Sequence, residues 1–211
     1  MFEIIKMVFP DIPFATFGVL LKDELKDCES ILDVGCGDNS PLRMIARKKE
    51  LVGIDGYAGA INKSKKAGIH QKYIKMDIKD IGKKFKPKQF DAVVALDVIE
   101  HLKKKDGYNL LKQMEKIARK KVIVFTPNGF LPQIDKVNLL QEHLSGWDTK
   151  DFKAREYKVF GAKGLKIFRK NAELRFKPKV ISGILSEMSH YFYGKYHPEK
   201  SFSLFAIYQA Q

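Results

Sequence analysis

The sequence predicts an α/β protein built on a doubly wound, mostly parallel sheet, and three observations carry that prediction. Short apolar runs alternate with segments of helical spacing, which is the pattern of strands connected by helices on both faces of a sheet. Four of these runs end in an acid, at Asp33, Asp55, Asp77 and Asp97. The first run opens into a glycine turn, Gly35-Cys36-Gly37. In open parallel sheets ligands bind beyond the carboxyl ends of the strands, where these acids and glycines fall.

The elements follow in order. Residues 16–26 form a first helix, with Phe17, Leu20, Leu21 and Leu25 at helical spacing. A strand over 31–34 leads to a helix from Pro41, a residue suited to a first helical turn. A strand over 51–54 precedes a helix over 58–67, and strands over 72–76 and 90–96 lead into a long helix from about Ile99 to Arg119. A strand over 121–126 closes the regular part. Beyond Asn128 the pattern loosens into a loop over 129–146, a short helix over 149–156 capped by Asp148 or Thr149, and a sixth strand over 157–160. A helix from Val180 to about Tyr191 and a last strand over 202–208 follow, with Tyr191, Phe192, Tyr193 and Tyr196 packing the helix end between them or lining a cavity.

The stretch Ile31-Leu-Asp-Val-Gly-Cys-Gly-Asp-Asn39 describes a nucleotide site. Gly35 and Gly37 allow a sharp turn and close approach of a ligand, and Asp55, ending the second strand, presents a carboxylate to ribose hydroxyls. A dinucleotide fold wants a third glycine or alanine where Ser40 stands, followed here by Pro41. Asp33 would repel a pyrophosphate but suits the cationic amino-acid end of another ligand, which points to S-adenosylmethionine. An NAD-dependent enzyme is the alternative.

On these residues, and on Tyr73-Ile-Lys-Met-Asp77, Phe90-Asp-Ala-Val-Val-Ala-Leu-Asp97 and Lys121-Val-Ile-Val-Phe-Thr-Pro-Asn128, the chain resembles the class I S-adenosylmethionine-dependent methyltransferases. It departs from their first motif at Asn39, where the family has a third glycine. The resemblance implies a seven-stranded, Rossmann-like sheet with a small C-terminal helical and loop addition. It implies one domain over 1–211, with an N-terminal helical segment (1–29), a cofactor core (30–128) and a substrate-side segment (129–211). It also implies that Asp33, Gly35, Cys36 and Gly37 hold the methionine end, Asp55 and Gly56 the ribose, and Asp77 and Ile78 the adenine, with Asp97 near the amino group or a metal.

The chemistry is expected near the ends of the fourth and fifth strands. In Asp97-Val-Ile-Glu100-His101 the polar groups stand at i, i+3 and i+4, on one face if the helix starts near Asp97. Gln141-Glu-His143-Leu-Ser-Gly-Trp147 brings a second imidazole from the following loop. Converging carboxylates and imidazoles suit a divalent cation, Mn or Mg, which could lower the pKa of a substrate hydroxyl. The two segments resemble the metal-binding constellation of the small-RNA 3′-end 2′-O-methyltransferases, which implies Asp97, Glu100, His101 and His143 as ligands. Without metal, His143 or His101 serves as general base, with Glu100 beside them. His70, His190 and His197 read as structural or exposed, and Trp147 as a packing residue that fixes His143.

The expected reaction is methyl transfer to oxygen, with nitrogen as the alternative, on a small hydroxylated acceptor: a sugar, a lipid-linked glycan or a quinol-like molecule. Methylation of a terminal RNA ribose is the alternative, and a non-catalytic cofactor-binding subunit is the alternative of another class. With 211 residues and 45% hydrophobic content the chain can bury one large core. No apolar run is long enough to span a bilayer, and Met1–Phe9 lacks the marks of a cleaved leader, so a cytoplasmic location is expected. The net charge of +14 reads first as a lysine-rich solvated surface, because lysine greatly outnumbers arginine; a surface for nucleic acid or anionic lipid is the alternative. Cys28 and Cys36 form no disulfide or zinc framework. Oligomeric state is not encoded in any of these features.

Overall fold

A computed structural model describes residues 16–46, 49–135, 137–171 and 173–210. In chain order the elements are α1 (Thr16–Glu24), β1 (Ser30–Val34), β2 (Glu50–Asp55), α2 (Ala58–Ala67), β3 (Lys72–Lys75), α3 (Ile81–Lys84), β4 (Phe90–Leu96), α4 (Lys104–Ile117) and β5 (Ala118–Pro127). Then come α5 (Thr149–Lys153), β6 (Lys158–Leu165), the two-residue strands β7 (Arg169–Lys170) and β8 (Glu173–Leu174), α6 (Lys179–Phe192) and β9 (Ser201–Gln209). Met1–Phe9, read above as lacking the marks of a cleaved leader, lie outside the described residues.

Ile31, Leu32, Val34, Leu51, Ile54, Val93 and Val94 are fully buried, because β1, β2 and β4 are covered on both faces. Seven strands run in the order β3-β2-β1-β4-β5-β9-β6. Pairing is parallel from β3 through β5, and β9 enters antiparallel between β5 and β6. One face packs Leu110, Leu111, Met114, Trp147 and Phe152; the other packs Leu21, Leu25, Leu42 and Phe205. Strand order reverses at β1, between β2 and β4, which opens a crevice beyond their carboxyl ends.

The structure corrects several elements. The helix expected from Pro41 is a single 3-10 turn, Pro41–Met44, capped by Ser40 and anchored by the buried Leu42. The long helix begins at Lys104, not Ile99. Ile99–His101 is a separate 3-10 turn, because the Glu100 carbonyl accepts from Leu144 N and Ser145 N in place of a helical partner; the Ile99 carbonyl closes the turn by accepting from Leu102 N and also accepts from Trp147 Nε1. Asp97 lies before that turn with φ +55, so Asp97, Glu100 and His101 do not share one helical face. The sixth strand extends to Leu165, and the short helix stops at Lys153, with Asp148 as its cap in a reciprocal capping box with Asp151. Tyr191, Phe192 and Tyr196 are exposed, whereas Tyr193 stacks on His197 and its hydroxyl accepts from Lys200 Nζ.

Candidate functional site

The loop after β1 is shaped by two glycines and by Asp33. Gly35 has φ +68, and a Cβ there would lie 2.7 Å from Val98 Cγ2, so both backbone and packing demand glycine. Gly37 has φ +57, faces open space, and donates its N–H to Asp55 Oδ2 at 3.0 Å. The other Asp55 oxygen accepts from Tyr57 N at 2.7 Å. Asp55 therefore ties the end of β2 to the glycine loop and stands beside the crevice, with Gly56 next to it.

Asp33 is buried, and its Oδ2 accepts from Ser40 Oγ at 2.6 Å and pairs with His70 Nε2 at 2.8 Å. It fixes the loop from beneath. Cys36 donates its N–H to Ile54 O, and its buried thiol sits where a Cβ on Gly53 would meet it at 3.0 Å, so it too faces inward. Burial, with Asp33 and Asp55 adding to it, pushes the Cys36 thiol pKa up and keeps it protonated. Asp77 is exposed, accepts from Lys79 N, and is followed by Ile78, which packs on the core.

At the ends of β4 and β5 three groups converge. Glu100, His101 and His143 each offer a ligand atom, and these atoms lie within 4.8 Å of one another. Glu100 is 2% exposed; its Oε2 accepts from Thr126 Oγ1 at 2.9 Å and its Oε1 has no partner. Burial first, then the nearby Asp97 charge, raises its pKa to about 8. The His101 Nδ1 donates to the Glu142 carbonyl at 3.2 Å and the His143 Nδ1 to the Leu131 carbonyl at 2.5 Å. A carbonyl can only accept, so both imidazoles are fixed with Nε2 free of its proton when neutral. Their ring centroids are 4.7 Å apart. Burial lowers the His101 pKa and favours its neutral, ligating form.

A partnerless buried carboxylate oxygen beside two imidazoles with carbonyl-anchored Nδ1 atoms fits a divalent cation of nitrogen and oxygen preference. Asp97 is outside the trio. Its carboxylate lies 3.7 Å from Lys163 Nζ and half of its side-chain surface is open. A cavity of about 330 Å³ lined by Glu50, Lys72, Gln89 and Arg119 lies at the opposite, amino-terminal end of the strands and is remote from this chemistry.

Sequence reasoning missed Thr126, Lys163 and the carbonyls of Leu131 and Glu142. Thr126 carried a signal, a hydroxyl at the end of an apolar strand; the carbonyls carried none. Trp147 packs as expected between Tyr108 and Phe152, but it holds the Glu100 turn through Ile99 O and leaves His143 to Leu131.

Residues 32–126 match the methyltransferase domain family. The matched stretch runs from β1 to the end of β5, so the crevice side of the sheet is similar to a methyltransferase domain. Solved structures share its fold. One is a SAM dependent methyltransferase from Archaeoglobus fulgidus, 17% identical, covering 91% of this chain and 94% of that one with a TM-score of 0.59. Magnesium protoporphyrin IX methyltransferase from Synechocystis, with bound SAM, is 14% identical over 94% and 78% of the two chains, TM-score 0.56. The methyltransferase domain of bacterial-CtHen1-C is 17% identical over 94% and 97%, TM-score 0.57. No curated protein matches the chain. Among the described residues no helix is long and apolar enough to cross a membrane.

Proposed function

We propose that the chain is a class I S-adenosylmethionine-dependent methyltransferase that methylates a hydroxyl oxygen of a small acceptor carrying adjacent hydroxyls, such as a sugar, a lipid-linked glycan or a quinol, with a divalent cation held by Glu100, His101 and His143. The observation that carries this reading is the unpartnered Oε1 of Glu100 beside two imidazoles whose Nδ1 atoms are already committed. The cation would supply Lewis-acid activation of the hydroxyl to be methylated.

The Gly35–Gly37 turn would receive the methionine end, Asp55 and Gly56 the ribose, and Asp77 and Ile78 the adenine. Asp33, held by Ser40 and His70, orders that turn from below. The cofactor would supply the methyl from its sulfonium to the acceptor oxygen, becoming the thioether, and the hydroxyl proton would leave to solvent or to an imidazole Nε2. The protein contributes mainly proximity and orientation. Glu100, protonated by its burial, would release its proton on binding the cation.

A terminal RNA ribose is the second reading. It is favoured by the same trio, since a 3′-terminal ribose also presents adjacent hydroxyls.

Calorimetric titration with S-adenosylhomocysteine, with and without manganese and with NADH as control, tests the proposal. Binding lost in Asp55→Ala supports the assigned ribose site. A manganese effect lost in His143→Ala supports the metal reading, whereas manganese binding that survives that change sinks it. Methyl transfer to diol-containing small molecules, measured against RNA 3′ ends, separates the two acceptors.

A further inference from the structure

The surface of α6 is inverted with respect to water. Its inward face carries Ser182, Ser186 and His190, all at most 3% exposed. Its outward face carries Ile181, Leu185, Met188 and Phe192, at i, i+4, i+7 and i+11, and these are 44–72% exposed. A helix at an aqueous surface places its apolar stripe toward the core and its polar side outward. The inversion has a local cause. A Cβ on Gly164 of β6 would lie 2.2 Å from Ser186 Oγ, so at this point α6 packs so closely on β6 that only a small side chain fits. Ser182 Oγ, Ser186 Oγ and His190 Nδ1 find no hydrogen-bond partner there. The seating thus forgoes apolar burial on one side and hydrogen bonds on the other.

We infer that this face docks on the surface of an anionic lipid bilayer, with the stripe of Ile181, Leu185, Met188 and Phe192 entering the headgroup and acyl boundary. Charge selects the occupant. Residues 163–200 carry nine lysines and arginines against three acids, and Lys166, Lys170, Arg175, Lys177 and Lys179 are exposed around the stripe. Basic residues flanking an apolar helix face are drawn to the negative potential of anionic lipid. Tyr191 and Tyr196 are exposed beside it, as amphipathic rings are at membrane interfaces.

A second copy of the chain fits less well, because a two-fold contact through this face would set the same cationic rim against itself. RNA would use the lysines but gains nothing from the aliphatic stripe. Segment 166–200 leaves the sheet after β6 and rejoins it at β9, so both of its ends join the sheet on the side where β5 ends, the end that carries the Glu100 cluster. The inference does not depend on the metal or on the acceptor.

Co-sedimentation with vesicles of phosphatidylglycerol and phosphatidylcholine, against phosphatidylcholine alone, tests it. The expected result is binding to the anionic vesicles only, weakened by salt, and reduced at least tenfold in Ile181→Ser/Leu185→Ser/Phe192→Ser. A second variant, Lys177→Glu/Lys179→Glu, reduces binding while keeping the stripe. Titration with S-adenosylhomocysteine, unchanged in both variants, reports that they are folded. No binding to anionic vesicles at low salt overturns the inference, as does binding that the apolar variant leaves intact. A dimer that the apolar variant dissociates also overturns it, in favour of a second copy.

Discussion

Thr126 donates its hydroxyl to one oxygen of Glu100 at 2.9 Å and leaves the other oxygen of that buried carboxylate bare. A lone side-chain donor is a poor substitute for the solvation an ionised carboxylate loses on burial. The balance therefore favours the protonated acid until another ligand arrives.

Glu100 accordingly makes the metal-free protein less stable as pH rises. Its ordinary pKa is 4.5 and its folded value is about 8, so between these limits the folded chain holds a proton that the unfolded chain has lost. His101, lowered below its usual 6.5, acts in the opposite direction only below that value. Thermal unfolding in chelator is expected at a lower temperature at pH 8 than at pH 6.5, and Glu100→Gln should remove that difference. Equal midpoints for the unmodified chain would contradict the assignment.

Thr126→Val removes the side-chain donor and keeps the volume. Leaving the Glu100 Oε2 unsatisfied should cost about 1–3 kcal/mol in urea unfolding. It should also move the onset of manganese binding to higher pH, because the ionised form loses its stabilising hydrogen bond.

Gly35→Ala brings a Cβ against Val98 in a left-handed backbone conformation. A loss of about 1–3 kcal/mol is expected from the backbone strain. Binding of S-adenosylhomocysteine should weaken at least tenfold by calorimetry, and Val98→Ala in the same chain should recover stability only in part, since φ remains unfavourable.

Trp147→Phe keeps much of the packing against Tyr108 and Phe152 but deletes the Nε1–H that donates to Ile99 O and Ser145 Oγ. The turn bearing Glu100 and His101 should loosen. Manganese affinity is expected to fall severalfold while S-adenosylhomocysteine affinity measured without metal stays within twofold; an equal loss in both would place Trp147 in general stability instead.

The parallel strands were legible because two-sided burial makes each one an apolar run, and their terminal acids marked the ligand end. Glu100, His101 and His143 were legible as residue types. Their means of assembly was not. The Glu100 turn breaks from α4 because its carbonyls bond to residues more than forty positions later, and spacing carries no trace of such a partner. Asp33 read as a ligand-facing acid, yet it is turned to Ser40 and His70; a buried histidine and an exposed one look alike in sequence. The inverted face of α6 escaped for a related reason, because the helical period shows which residues share a stripe and not which stripe meets the sheet.

Strand β9 lies between β5 and β6 but follows both in the chain. On a ribosome, β6 emerges with no neighbour to pair with, and α6 has no finished sheet to rest on, until residues 201–209 are made. The crevice end of β1, β2 and β4 can assemble well before then. The apolar face of α6 would thus take its outward orientation in the last step of folding, as Leu204, Phe205, Ala206 and Ile207 of β9 close the core.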